Sequence, residues 1–230
     1  MDRATVSSVL WYGATAVASF ALIRQFRKPT WLPGQLIARL MNSTHRSLTT
    51  WALTHLPLAA DSAILDVGCG GGSTIQQLAL RAPGGKVSGI DYSPASVAVA
   101  RRTNARDIDA GRVDILVGSV SSLPYADHSF DAVTAVETHY YWPDLATDLG
   151  EIRRVLRAGG RVVVAAESYR GKRLGVLDLL VMRLLGSKLL TIAEHRDAFE
   201  AAGFSDVAVF EEKKKGWLCV VGEKRSDRAA

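Results

Sequence analysis

Apolar positions along this 230-residue chain switch repeatedly between a helical and an extended period, and the switching predicts its elements. After Pro29 and Pro33, Gln35 to Leu56 reads as a helix, with Leu36, Ile37, Leu40 and Met41 at helical spacing. Pro57 ends it, because proline brings no backbone donor. Ala63 to Val67 is a short apolar strand running into a glycine cluster, and Ser73 to Leu80 returns to helical spacing. Lys86 to Ile90 is a second strand closed by Asp91. Ser93 and Pro94 then supply an N-cap and a first-turn proline for a helix reaching Ile108. Val113 to Val117 and Phe130 to Ala135 are further strands, and Pro143 to Leu156 is a helix with Leu145, Leu149, Ile152 and Leu156 on one face. Gly159 and Gly160 stop that helix before a fifth strand, Arg161 to Ala166. Thr191 and Glu194 form a capping box for a helix that closes at Gly203. Two close strands finish the pattern, Val207 to Phe210 and Leu218 to Gly222.

Strands alternating with helices at this spacing imply crossover units, hence an α/β domain of Rossmann-like type. The expected sheet has seven strands, mostly parallel, with an antiparallel edge. N-terminal helices over residues 1–60 would cap a domain spanning 61–230. The segment 170–190, leucine-rich nearly all round, would form a helical lid.

Composition changes this picture in three places. Almost half the residues are apolar, so a packed core is expected rather than a disordered chain. The formal charge of +5 suits a nucleic acid, an anionic membrane or an acidic substrate without selecting among them. Cys69 and Cys219 form no disulfide framework, and no metal-ligand spacing is present, so a reducing, cytoplasmic setting and no metal are expected. Residues 4–23 carry no charge and are followed by Arg24, Arg27 and Lys28. That segment is long enough to span a bilayer, but its serines, threonine and alanines dilute it. It reads as a covering or dimerising helix, or as a membrane anchor. Asp2 beside Arg3 argues against a secretory signal.

The candidate chemistry begins at the glycine loop, ILDVGCGGG from Ile64 to Gly72. Gly68 and Gly70 allow a sharp turn and a close approach to a ligand, and a helix N-terminus lies beyond them. In a dinucleotide enzyme such a loop holds a pyrophosphate. Here Asp66, just before the loop, would repel a phosphate but could help position an ammonium group. Asp91 ends the second strand, where a carboxylate can accept both ribose hydroxyls. A ligand with a ribose and a zwitterionic tail, but no phosphate, meets both demands.

Ile64 to Gly72 resembles the first motif of class I S-adenosylmethionine-dependent methyltransferases, and Gly89 to Ser93, GIDYS, resembles their second. Gly118 to Asp131, GSVSSLPYADHSFD, is similar to the stretch that holds the adenine in that family. Arg154 to Val164, RVLRAGGRVVV, resembles its helix, turn and fifth strand. The motifs arrive in the family's order over Ser62 to Glu223. The resemblance implies S-adenosylmethionine as cofactor and S-adenosylhomocysteine as product. It implies Gly68, Cys69, Gly70 and Gly72 around the methionine part, with Asp66 in support. Asp91 would then hold the ribose, Tyr92 would lie against the adenine, and Ser119 and Val120 would flank it. Val136 would line the same cleft. Ser119 stands where many members carry an acidic residue, which leaves the Val120 N–H as the contact to the adenine edge.

Methyl transfer needs an aligned acceptor, exclusion of water and a place for a proton. Val136 to Trp142, VETHYYW, concentrates suitable groups after the fourth strand. His139 and Glu137 are candidate bases. Tyr140, Tyr141 and Trp142 could wall an apolar pocket or meet a sulfonium charge. His45 could reach across from the preceding helix, and Glu167 could face the pocket or begin a solvated loop. A small, partly apolar acceptor is the leading expectation, with a membrane-associated methyltransferase of lipid or isoprenoid-like compounds as the alternative. A cofactor-binding scaffold without catalysis and a nicotinamide oxidoreductase are the rivals from other classes. Nucleic-acid substrates are disfavoured: the segment after the fourth strand lacks a proline-proline-aromatic signature, and no basic and aromatic stripe is present. A homodimer through the apolar N-terminal helix is a further expectation.

Overall fold

The computed structural model describes residues 29–171, 180 and 182–225. The segment 4–23, with its anchoring and dimerising readings, lies outside the described residues, as do 172–179 and 181 of the expected lid. The elements are α1 (Trp31–Thr44), α2 (Arg46–Ala52) with a 3-10 turn (Leu53–His55), β1 (Ala63–Val67), α3 (Ser73–Arg81) and β2 (Lys86–Asp91). Next come α4 (Pro94–Thr103), α5 (Ala105–Asp109), β3 (Val113–Val117), β4 (Phe130–Val136) and a second 3-10 turn (His139–Tyr141). The chain continues through α6 (Leu145–Val155), β5 (Leu156–Ala166), α7 (Ile192–Ala201), β6 (Ser205–Glu212) and β7 (Trp217–Glu223).

One seven-stranded sheet runs in the order β3-β2-β1-β4-β5-β7-β6. All pairs from β3 to β5 are parallel, whereas β7 is antiparallel to both β5 and β6. The expected antiparallel edge is present, and its reversed strand is threaded between β5 and the outermost strand. The order in which successive strands are added reverses between β1 and β4, so the carboxyl ends of these two strands open the crevice where a ligand can sit.

Strand alternation divides the core. Leu65, Val67, Val133, Val162 and Val164 face α6 and α7, burying Leu149, Ile152 and Phe199. Ile64, Ala132, Val163, Ala165 and Cys219 face the other side, where Ile75, Leu78 and Val97 pack. Leu48, Ala52, Leu53 and Leu56 belong to that second cluster, so α2 completes the sheet's own core.

Two expected helices are each broken in two, and both breaks serve the site. The segment expected from Gln35 to Leu56 turns at His45, which ends α1 and starts α2. The helix after Pro94 breaks at Asn104, whose Nδ2 donates to the carbonyls of Gly72 and Ala100. β5 also starts earlier than expected. Gly159 (φ +76°) and Gly160 interrupt its register to β4 and exchange backbone hydrogen bonds with Lys224, instead of simply ending a helix.

Truncating a core side chain should separate from truncating an exposed one. Phe199→Ala, at a fully buried position, is expected to cost about 3–5 kcal/mol. Leu80→Ala, at a position 79% exposed, should stay within about 0.5 kcal/mol in the same urea titration.

Candidate functional site

The chain leaves β1 and turns back over β2. The N–H groups of Gly68 and Cys69 both donate to the Ile90 carbonyl, at 2.7 and 3.0 Å. The Gly70 N–H donates to Asp91 Oδ2 at 2.9 Å and the Ser93 N–H to Oδ1 at 2.8 Å, so each carboxylate oxygen is held by one backbone amide. Each oxygen keeps a further lone pair for a ligand. Burial pushes the Asp91 carboxyl above its ordinary pKa, while these two N–H groups pull it back.

Glycine is required in this loop for two different reasons. A Cβ on Gly68 would stand 2.1 Å from Thr138 Oγ1, so the close approach of the segment after β4 excludes a side chain. Gly70 has φ +51° and open space where its Cβ would be, so the turn conformation requires it and the space beyond is free for a ligand. Gly72, expected on the cleft wall, instead caps α3 in the left-handed conformation and packs on Asn104 and Ala100.

Two cavities of about 720 and 710 Å³, partly open to solvent, meet over this loop. Gly68, Asp91, Tyr92, Thr138 and Tyr141 border both. Cys69, Gly70, Val136, Glu137 and His45 line the first, beneath Ala38, Met41 and Asn42 of α1. Ser119, Val120 and Trp142 line the second. Asn42 Nδ2 donates to the Gly71 carbonyl at 2.9 Å, fastening this roof to the loop. Among the described residues, neither lining includes a lysine or arginine.

Asp66 lies beneath the loop, off both walls. It is paired in register with Thr134, whose Oγ1 donates to its Oδ1 at 2.6 Å, while Oδ2 is buried with no partner among the described residues. Burial is the main cause that raises its pKa to about 7. The Cys69 thiol is likewise pushed well up by burial, so it serves as a small wall and not as a thiolate.

The aromatic segment divides between site and core. Glu137 lines the cleft at φ +58°, a conformation that costs a non-glycine residue about 1–2 kcal/mol. Its Oε1 accepts from Tyr140 Oη at 2.9 Å and from the Glu167 N–H. Tyr140 is buried as that donor, and Tyr141 alone of the two tyrosines reaches the cleft.

His139, the leading candidate base, faces neither cavity. Its ring is buried with Nε2 3.1 Å from His195 Nε2, while His195 Nδ1 lies 2.8 Å from the Thr191 carbonyl. A carbonyl only accepts, so His195 carries its proton on Nδ1 and receives one from His139 Nε2. His139 Nδ1 is buried with no hydrogen-bond partner among the described residues. Burial, reinforced by the neighbouring ring, holds His139 well below the usual histidine pKa, and burial lowers His195 as well. The pair pins the turn after β4 to α7, and of the expected set His45, Glu137 and Tyr141 line the first cavity. Glu167, left undecided by the sequence, lies beside His45 and Glu137. Burial lowers the His45 pKa and Glu167 opposes that shift.

Residues 65–164 match the family model described as a methyltransferase domain. Methyltransferase GfsG of Streptomyces halstedii is 34% identical over 155 residues, covering 67% of this chain and 55% of that protein. The ubiquinone/menaquinone biosynthesis C-methyltransferase UbiE of Geotalea daltonii is 34% identical over 120 residues, covering 52% of this chain and 51% of that one. The chain spans about half the length of these curated relatives. Among solved structures, the Haloferax volcanii complex of the Trm112 methyltransferase activator with a putative methyltransferase gives a TM-score of 0.69 at 24% identity, covering 82% of this chain and 94% of that one. Haemonchus contortus phosphoethanolamine N-methyltransferase 2 with S-adenosyl-L-methionine also gives 0.69, at 18% identity, covering 78% of this chain and 53% of that one. The fold is therefore that of the Rossmann-like methyltransferases. More particularly, the match to a methyltransferase domain runs from β1 to β5, over residues 65–164.

Two outcomes follow. Gly70→Ala should destabilise by only about 1–2 kcal/mol, because the cost is confined to backbone conformation. Its methyl points into the cleft, so calorimetry should show S-adenosylhomocysteine affinity falling at least tenfold. The imidazole pair should make stability acid-sensitive. Both folded pKa values lie below the unfolded value of about 6.5, so the unfolded chain takes up protons first as pH falls, and stability drops below pH ~6.5. A His139→Gln/His195→Gln double variant should start lower at pH 8 but lose less melting temperature between pH 8 and 5.

Proposed function

We propose that this chain is an S-adenosylmethionine-dependent methyltransferase that transfers a methyl group to a small, partly apolar acceptor. The observation that carries the reading is Asp91: a carboxylate clamped by two backbone N–H groups on the wall of a glycine-loop cleft. A carboxylate there suits ribose hydroxyls, and among the described residues neither cavity wall offers a lysine or arginine to a pyrophosphate.

In this reading Asp91 accepts the ribose hydroxyls, Tyr92 lies against the adenine, and Ser119 and Val120 border its edge. Gly68, Cys69 and Gly70 leave room for the amino-acid tail, with Asp66 below them, and Val136 closes the floor. Bound there, S-adenosylmethionine supplies a methyl group on a positively charged sulfur. The chain's own contribution is placement and shielding. The roof of Ala38, Met41 and Asn42 excludes water, and Tyr141 and Thr138 flank the junction of the two cavities. Glu137 and His45 stand where an acceptor would give up a proton. Tyr140 and His139 act at one remove, by orienting Glu137 and the turn that carries it. Among the described residues no helix is long and apolar enough to cross a membrane.

Calorimetric titration of the full chain with S-adenosylmethionine and S-adenosylhomocysteine tests the reading. Micromolar binding that Asp91→Ala weakens at least tenfold is the expected result. Failure of the folded wild type to bind either compound, or a preference for nicotinamide nucleotides, would overturn it.

A further inference from the structure

We propose that His45, Glu137 and Glu167 form a binding site for one divalent metal ion at the acceptor end of the cleft. The three come from separate parts of the fold: the junction of α1 and α2, the turn after β4 and the end of β5. One ligand atom from each lies within 4.8 Å of the other two, and all three side chains are half-buried. Around a tetrahedral ion bound at about 2.0–2.2 Å, ligand atoms stand about 3.4 Å from one another, so side-chain movements of at most about 1 Å close the set around one ion.

The donors also suit a metal chemically. One imidazole and two carboxylates make a mixed nitrogen and oxygen set, which suits first-row ions such as Mn²⁺ and Zn²⁺. Glu137 is oriented from behind, as metal-binding carboxylates are. Its Oε1 receives the Tyr140 hydroxyl, and Tyr140 Oη in turn accepts the Ser168 N–H at 3.2 Å. His45 and Glu137 both line the cavity, so the open coordination positions point to the space assigned to the acceptor.

An ion with open positions there would select an oxygen acceptor. With the ion bound, it replaces Glu137 and His45 as the group that acidifies the acceptor: a hydroxyl on it would lose its proton to solvent at the open side of the cavity and take the methyl group as the carbon–sulfur bond breaks and a carbon–oxygen bond forms, leaving neutral S-adenosylhomocysteine. That role rests on the methyltransferase reading above, but the metal site itself does not.

The test uses the full chain, stripped with a chelator and titrated with Mn²⁺ and with Zn²⁺. Calorimetry and the loss of the free Mn²⁺ paramagnetic resonance signal report binding, and S-adenosylhomocysteine affinity is measured on the same samples. The expected result is one ion per chain, weakened at least tenfold by His45→Ala and by Glu167→Gln. His55→Ala should leave it unchanged, since His55 is stacked on Phe210 at 3.9 Å outside the cleft lining. Absence of saturable binding to either ion, or binding that survives both substitutions, overturns the proposal. Metal binding without S-adenosylhomocysteine binding would uphold this site while the cofactor reading failed.

Discussion

The site depends on a stitch between the first two strands. Three successive backbone N–H groups, from Gly68, Cys69 and Gly70, all return to the end of β2, two to the Ile90 carbonyl and one to the Asp91 carboxylate. A buried carboxylate is expensive unless hydrogen-bonded, and here the loop supplies the bonds that make burial tolerable. The loop conformation and the position of the charge are thus one feature. The neighbouring pieces are arranged on it: Thr138 can approach only because Gly68 has no side chain, and Asn42 reaches the Gly71 carbonyl. Asn104 breaks a helix in order to hold the carbonyl of Gly72.

The chain's charge and the cleft's charge have opposite signs. The formal balance is +5, yet the described cleft lining holds Asp91 and Glu137 and neither lysine nor arginine. The cations lie elsewhere, many of them tying helices and turns together: Arg154 joins Glu151 to Asp127, and Arg157 meets Asp131. Net charge therefore says little about this cleft, whose local field favours a cationic ligand.

Much of the fold was legible because its signals are local. Apolar period, the Thr191 and Glu194 capping box and the Gly203 stop depend on residues close in sequence, and all three recur in the structure. The glycine loop and Asp91 were legible for the same reason, since each lies at a strand end that the pattern locates. What escaped was pairing across distance. Nothing near His139 announces His195, 56 residues on, so a histidine in an aromatic segment reads as a base when it is half of a buried pair. His45 and Glu167 were undervalued for the converse reason: each looks unremarkable alone, and only the helix break at His45 and the end of β5 bring them together. The Gly159 and Gly160 bulge was likewise hidden, because glycines that stop a helix and glycines that bend a strand look alike.

The left-handed backbone at Glu137 sets stability against function at a single position. A residue other than glycine pays there for its conformation, and the fold keeps it through the bonds from Tyr140 and the Glu167 N–H. Glycine at 137 would release the backbone while discarding the carboxylate. Selection for thermal robustness alone would thus pull this position one way, and any use of the carboxylate in the cleft the other. A related domain with no use for a carboxylate there is free to drift toward glycine or asparagine, so the residue at this position is a compact record of which pressure has prevailed.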